Sequence, residues 1–426
     1  MQTLIKNGIV VDTEPQPVVI GRADVRIEDG RIAEVGPDLT APDGAEVIDA
    51  SRHIVMPGFV DSHRHTWQAA IRTTTADLAF AGYAERIFGQ LGPAFQPEDV
   101  LAGNLAGALE SLDAGVTTLL DWSHIQHSPE HTDAAVEALR ASGIRAVFGY
   151  CHQGPLSELA RETRRVRDAY FSSAGLVSMA FAALGPEIAP EEQALAELET
   201  ARELDLPVTV HLGGQGPDSA TKGLAFLESR GFLTPGMTFI HANHYSDEQF
   251  KVIAGTGGGV SVSPVDEMTL GMGYPVTGRA QAAGMPVSFS ADTVTCAPGD
   301  MFSLMRTAYT LERGRPDGVG LGFTTRDVLR MATIDGARVV GLGDVTGSLR
   351  PGKQADLVLL GTDSLGLAAS YDPIAAIVLN ADTSAVDTVL VGGRVVKRDG
   401  RLVGQNVPAA LDALAAAAGR VTAALV

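Results

Sequence analysis

The stretch Pro57-Gly-Phe-Val-Asp-Ser-His-Arg-His65 runs from an apolar segment into two histidines spaced i, i+2. Residues 54–60 read as a short buried strand. Side chains alternate along a strand, so His63 and His65 point the same way and both imidazoles can reach one ion. A lone His-x-His is as often a chance surface pair. Its weight depends on what stands elsewhere in the chain.

Seven more short apolar runs follow, at 116–120, 145–150, 176–180, 207–210, 238–240, 259–262 and 286–289. Helical patterns such as 189–204 and 247–254 separate them. Eight strands alternating with helices is the count of an α/β (β/α)8 TIM barrel. A doubly wound open sheet is the runner-up, but its Gly-rich fingerprint follows a strand, whereas Gly257-Gly-Gly259 leads into one. Both flanks instead carry hairpin patterns, with turns at Asp29-Gly30 and Gly392-Gly393. Neither flank suffices for a sheet of its own. The expected organisation is therefore one small β-sandwich built from residues 1–56 and 348–426, around a catalytic barrel at 57–347. The Ala-rich segment 409–425 closes the chain as a surface helix.

Composition narrows the partners. The 426 residues are 45% hydrophobic, enough for a large core. Asp and Glu outnumber Lys and Arg by 51 to 32, for a net charge of −19, a field that repels nucleic acid and anionic membrane. Two cysteines make no disulfide framework, no apolar run is long enough to span a bilayer, and the first residues show no basic-then-apolar leader. A cytoplasmic protein acting on a small molecule is expected.

Catalytic groups of a barrel sit where its strands end. His63 and His65 follow the first run, His211 the fifth, His241 the sixth and Asp292 the eighth. A histidine from the fifth strand and a carboxylate from the eighth would complete a nitrogen and oxygen shell. Such a shell suits zinc, with iron(II) and manganese(II) as alternatives, and leaves a position for water.

As a set these motifs resemble the amidohydrolase superfamily, in the branch of triazine hydrolases and cytosine, guanine and thioadenosine deaminases. The resemblance rests on Val55–His65, Gly115-Val-Thr-Thr-Leu-Leu-Asp121, Val210-His211-Leu, Ile240-His-Ala-Asn-His244, Phe289-Ser-Ala-Asp292 and Gly347-Ser-Leu-Arg-Pro-Gly-Lys-Gln-Ala-Asp-Leu357. It implies metal ligands His63, His65, His211 and Asp292, with Asp292 also shuttling the proton of an activated water. It implies that His241 orients that water or polarises the substrate, and that Gln68 contacts substrate. Binuclear relatives carry a carboxylated lysine after the fourth strand, where residues 180–188 hold none, so one divalent metal is expected. The resemblance also implies a homo-oligomer, a dimer or larger.

One departure stands out. Aminohydrolases of this branch place a glutamate three residues after the fifth-strand histidine, to protonate a ring nitrogen; here that position is Gly214. Glu187, Asp266 and Glu267 lie in neighbouring loops, where solvated carboxylates are the default. Trp67 and Trp122 are candidates to line the pocket, as is His152 to contact substrate. His124, His127 and His131 read as a solvent-exposed loop cluster. The expected enzyme is a mononuclear metal-dependent hydrolase of a C–N bond, not a peptide bond, in a small cyclic amide or amidine. The alternatives are an aromatic aminohydrolase whose acid has moved, and a lyase or isomerase on the same scaffold.

Overall fold

The computed structural model describes residues 2–316 and 319–425. Eight strands form one all-parallel sheet in chain order: β6 Phe59–Arg64, β7 Val116–Gln126, β8 Arg145–His152, β9 Val177–Ala183, β10 Val208–Leu212, β11 Thr238–His241, β12 Gly259–Val262 and β13 Val287–Phe289. Five strands precede them in the chain: β1 Gln2–Asp12, β2 Val18–Glu28, β3 Arg31–Gly36, β4 Glu46–Asp49 and β5 His53–Pro57. The barrel strands are covered on both faces, which is why β7 and β8 are buried at every residue and read as continuous apolar runs rather than alternating ones.

The barrel is closed by unusual means. Instead of a ladder, Ser62 Oγ lies 2.7 Å from Ser261 Oγ and donates to the Phe289 carbonyl at 3.1 Å. Just beyond, the Asp292 N–H donates to the His63 carbonyl at 3.0 Å and the His65 N–H to the Asp292 carbonyl at 2.8 Å. The seam between first and eighth strands therefore runs through residues singled out as metal ligands.

The chain ends meet in a separate mixed sheet of nine strands, completed by β14 Leu357–Gly361, β15 Val386–Val391, β16 Arg394–Arg398 and β17 Arg401–Leu402. The halves join where β5 pairs with β14, Met56 opposite Val358. The run predicted at 54–60 is in fact two strands. Residues up to Pro57 belong to the small sheet, and the barrel begins at Phe59. Gly58 between them is required, because a Cβ there would lie 2.1 Å from Thr117 Oγ1 and 2.6 Å from Thr117 Cβ. The closing helix runs over Val407–Thr422 and buries Ala417 and Val421.

Candidate metal centre

The strand exits converge. His63 Nε2 and His65 Nε2 lie 3.2 and 3.3 Å from Asp292 Oδ1, and His241 Nε2 lies 3.5 Å from Asp292 Oδ2. The ring of His211 is centred 4.8 Å from that of His63 and 5.4 Å from that of His241. Two ligand atoms about 2.0–2.1 Å from one tetrahedral ion stand roughly 3.4 Å apart, so these separations suit a shared cation. Potential ligand atoms of His63, His65 and Asp292, and of His63, His211 and His241, fall within 4.8 Å of one another.

Local chemistry prepares these groups. His65 Nδ1–H donates to the Trp122 carbonyl at 2.8 Å, which leaves the Nε2 lone pair free. Burial lowers the pKa of His63 and His211, and that of His65 to about 3, keeping all three neutral, the form that binds a cation. His63 Nδ1 is buried without a partner. His241, Ala242 and Asp292 hold φ of 71°, 58° and 52°, a left-handed conformation that costs a non-glycine residue on the order of 1 kcal/mol. Strain of this kind gathers where a side chain must be aimed.

A second layer departs from the sequence reading. Glu267 and Asp266 are fully buried, not solvated, since the short helix Pro264–Thr269 tucks them under the rim. Glu267 Oε1 accepts from His241 Nδ1 at 3.2 Å and from the Ser263 N–H at 2.8 Å, and Oε2 accepts from Asn243 at 3.0 Å. Burial works to lower the His241 pKa, but the Glu267 and Asp292 carboxylates outweigh it and hold it above the usual value. Asp266 accepts the Cys296 thiol at 2.9 Å. Glu187 is half-buried and faces the pocket.

Of the histidine cluster only His127 is exposed as expected; His124 and His131 are buried, and β7 extends far enough to carry Trp122 and His124. His124 stacks on His65 at 4.0 Å. The Trp67 indole donates to His124 Nδ1 at 3.1 Å, so in the neutral ring Nε2 carries the proton, buried and without a partner. His131 accepts at Nδ1 or donates to Ser128, and its Nε2 donates to the Phe95 carbonyl, a structural tie.

Above the rim opens a cavity of about 510 Å³, a size suited to a small organic molecule. His65, His211, His241 and Asp292 form part of its wall, and Phe80, Tyr83 and Phe88 roof it from the segment 80–91. Trp122 lines it, whereas Trp67 lies behind His124. Gln68 is fully buried and also stands one layer back, bonded to Tyr83 and Thr293, which do reach the cavity. His152 bonds to Tyr150 and the Pro155 carbonyl beside a separate small hollow. Sequence reasoning missed Tyr83 and Thr293 as lining groups, and Glu267 as the holder of His241. Ser263-Pro264 after β12 was a readable helix start for Glu267; nothing in the sequence marked Tyr83.

Known proteins resemble this chain over nearly its whole length. A 5-methylthioadenosine/S-adenosylhomocysteine deaminase from Desulforudis audaxviator is 30% identical over 95% of each chain. A 5'-deoxyadenosine deaminase from Methanosarcina barkeri is 28% identical over 93% of each. Among solved structures, an adenosine deaminase from Xanthomonas campestris with bound zinc superposes with a TM-score of 0.88 at 24% identity, covering 99% of this chain and 98% of that one. Atrazine chlorohydrolase from Arthrobacter aurescens, complexed with zinc, does so with a TM-score of 0.88 at 22% identity, covering 98% and 100%. The model of the amidohydrolase family matches residues 54–396, and the chain belongs to that family.

Proposed function

We propose that this protein is a mononuclear metal-dependent hydrolase that cleaves a C–N bond, other than a peptide bond, in a small cyclic amide or amidine. The observation that carries the reading is the gathering of His63, His65 and His241, all buried, and half-buried His211 with Asp292 at the mouth of the barrel. His63, His65, His211 and Asp292 would hold the cation, zinc first, with iron(II) and manganese(II) as alternatives. A divalent cation supplies acidity there, lowering the pKa of a coordinated water from about 15.7 toward ~7.

The chain's own groups do the rest. Asp292 accepts the proton of the attacking water and passes it to the leaving nitrogen. His241, held at Nδ1 by Glu267 and raised in pKa, presents a second N–H at Nε2 to the oxygen that gains charge on attack. The aromatic roof of Phe80, Tyr83 and Phe88 suits a flat ring. The names of the relatives make aminopurine nucleosides the first substrates to try. The same reading holds for a cytoplasmic homo-oligomer, which light scattering checks.

The test uses zinc-loaded protein in water labelled with oxygen-18, offered 5'-methylthioadenosine, 5'-deoxyadenosine, a chlorotriazine and dihydrouracil. Label in the product and loss of bound metal in His63→Ala or His211→Ala are expected. Full metal occupancy in both variants refutes the ligand set, and turnover without label assigns a lyase or isomerase.

A further inference from the structure

The glutamate expected three residues after His211 is missing, yet a carboxylate occupies that neighbourhood. Glu187 comes from the loop after β9 and reaches across to the loop after β10. Its Oε1 accepts the Gly213 N–H at 2.7 Å, and the N–H groups of Gly214 and Gln215 also face the carboxylate. One glycine makes room for this approach: a Cβ on Gly223 would stand 3.0 Å from Glu187 Cγ and Oε1.

The other oxygen is unspoken for. Glu187 Oε2 is buried and has no hydrogen-bond partner, while the residue lines the cavity with His211, Gly214, His241 and Asp292. An unsatisfied buried carboxylate oxygen is unfavourable, a cost that a ligand bearing a ring nitrogen removes. Neither competing carboxylate is free for that role. Both oxygens of Glu267 are occupied by His241, Ser263 and Asn243, and Asp266 is outside the lining and holds Cys296.

Building on the hydrolase reading above, we propose that Glu187 is the catalytic acid for an amidine substrate, replacing from the fourth strand the glutamate absent at Gly214. Protonated Oε2 donates its proton to the ring nitrogen, and the carbon of the C=N bond becomes open to attack. Water adds its oxygen to that carbon while Asp292 takes one water proton. The exocyclic C–N bond then breaks, and nitrogen leaves as ammonia with the proton from Asp292. The remaining hydroxyl proton returns to Glu187, leaving a lactam and an enzyme in its starting state. Burial, working against the three backbone N–H groups, raises the Glu187 pKa and favours the acid form that begins this cycle.

The structure also offers a rescue. Gly214 lies outside the left-handed region, and a Cβ there meets only the end of Met272, at 3.5 Å. Zinc-loaded wild type, E187Q, E187D, G214E and the double variant E187Q/G214E are compared for ammonia release from 5'-methylthioadenosine and 5'-deoxyadenosine. Binding of the lactam product 5'-deoxyinosine is followed by calorimetry. Expected for E187Q is a fall in kcat of about 100-fold or more with little change in KM. Metal content and melting temperature stay at wild-type values, and 5'-deoxyinosine binds more weakly. E187Q/G214E recovers part of the lost kcat, which a purely structural Glu187 would not allow. If E187Q does not fold, E187D carries the same kcat test.

Unchanged kcat in a folded E187Q or E187D, or no recovery in the double variant, overturns the assignment. Wild type that opens dihydrouracil but releases ammonia from neither nucleoside overturns it too, while leaving the hydrolase reading intact. Protein that binds no metal and hydrolyses neither compound sinks both.

Discussion

The two ends of the barrel bury charge in opposite ways. At the start of β8, Arg145 meets Asp356 of the small domain through Nε to Oδ2 at 2.6 Å and Nη2 to Oδ1 at 3.0 Å. Asp356 also accepts the Gly392 N–H at 2.7 Å, and its carbonyl takes the Gly58 N–H. Both carboxylate oxygens of Asp356 are partnered. At the other end, His63 Nδ1, His124 Nε2 and Glu187 Oε2 are buried and unpartnered, beside backbone in left-handed conformations. A satisfied cluster fastens two domains, and an unsatisfied one waits for ligands. The difference separates stability from function along one barrel axis.

Four substitutions probe that contrast. The largest effect is expected for Asp292→Asn, where loss of the base lowers kcat by about 10²–10⁴-fold with the fold intact; stopped assays and circular dichroism read both, and near wild-type turnover would exclude Asp292 as the base. Next comes Arg145→Ala, which strands Asp356 in the interior and should cost about 3–5 kcal/mol in denaturant unfolding. The kcat of its remaining folded fraction should not move, and a specific loss of activity would show that the two ends are coupled. Glu267→Gln weakens the grip on His241, with kcat expected to drop about 10–100-fold while bound metal, read by elemental analysis, is retained. The smallest is Gly214→Ala. With its Cβ in ordinary contact, it should change unfolding free energy by only about 0.4–1 kcal/mol, toward stability. A large loss would mean that the rim loop is as tightly specified as the domain junction.

How much of this was legible beforehand follows from periodicity. Eight apolar runs predicted eight barrel strands because parallel strands buried on both faces need uninterrupted apolar residues. His63, His65, His211, His241 and Asp292 were legible because strand exits are fixed once the strands are. The break at Gly58 was not, since the cause is a contact with Thr117, distant in sequence. Nor were the buried states of Glu267, Asp266 and His124. A carboxylate in a loop looks solvated until the chain folds a short helix over it, and β7 carries His124 inward by running six residues beyond the predicted end at 120. Glu187 was visible as a candidate, but only the turn at Gly213 reveals what it reaches.

The seam between His63, His65 and Asp292 has a consequence for the order of biosynthesis. These residues are 229 positions apart at their extremes, and their backbones join the first strand to the last. A nascent chain emerging from the ribosome exposes His63 and His65 early, with neither the carboxylate nor the barrel wall to complete their pocket. Translation must pass β13 before either the ring or the ion site can close. On the proposed ligand set, acquisition of metal would thus be timed to the last strand of the barrel, and a truncated chain would be left with an open sheet and an incomplete set of ligands.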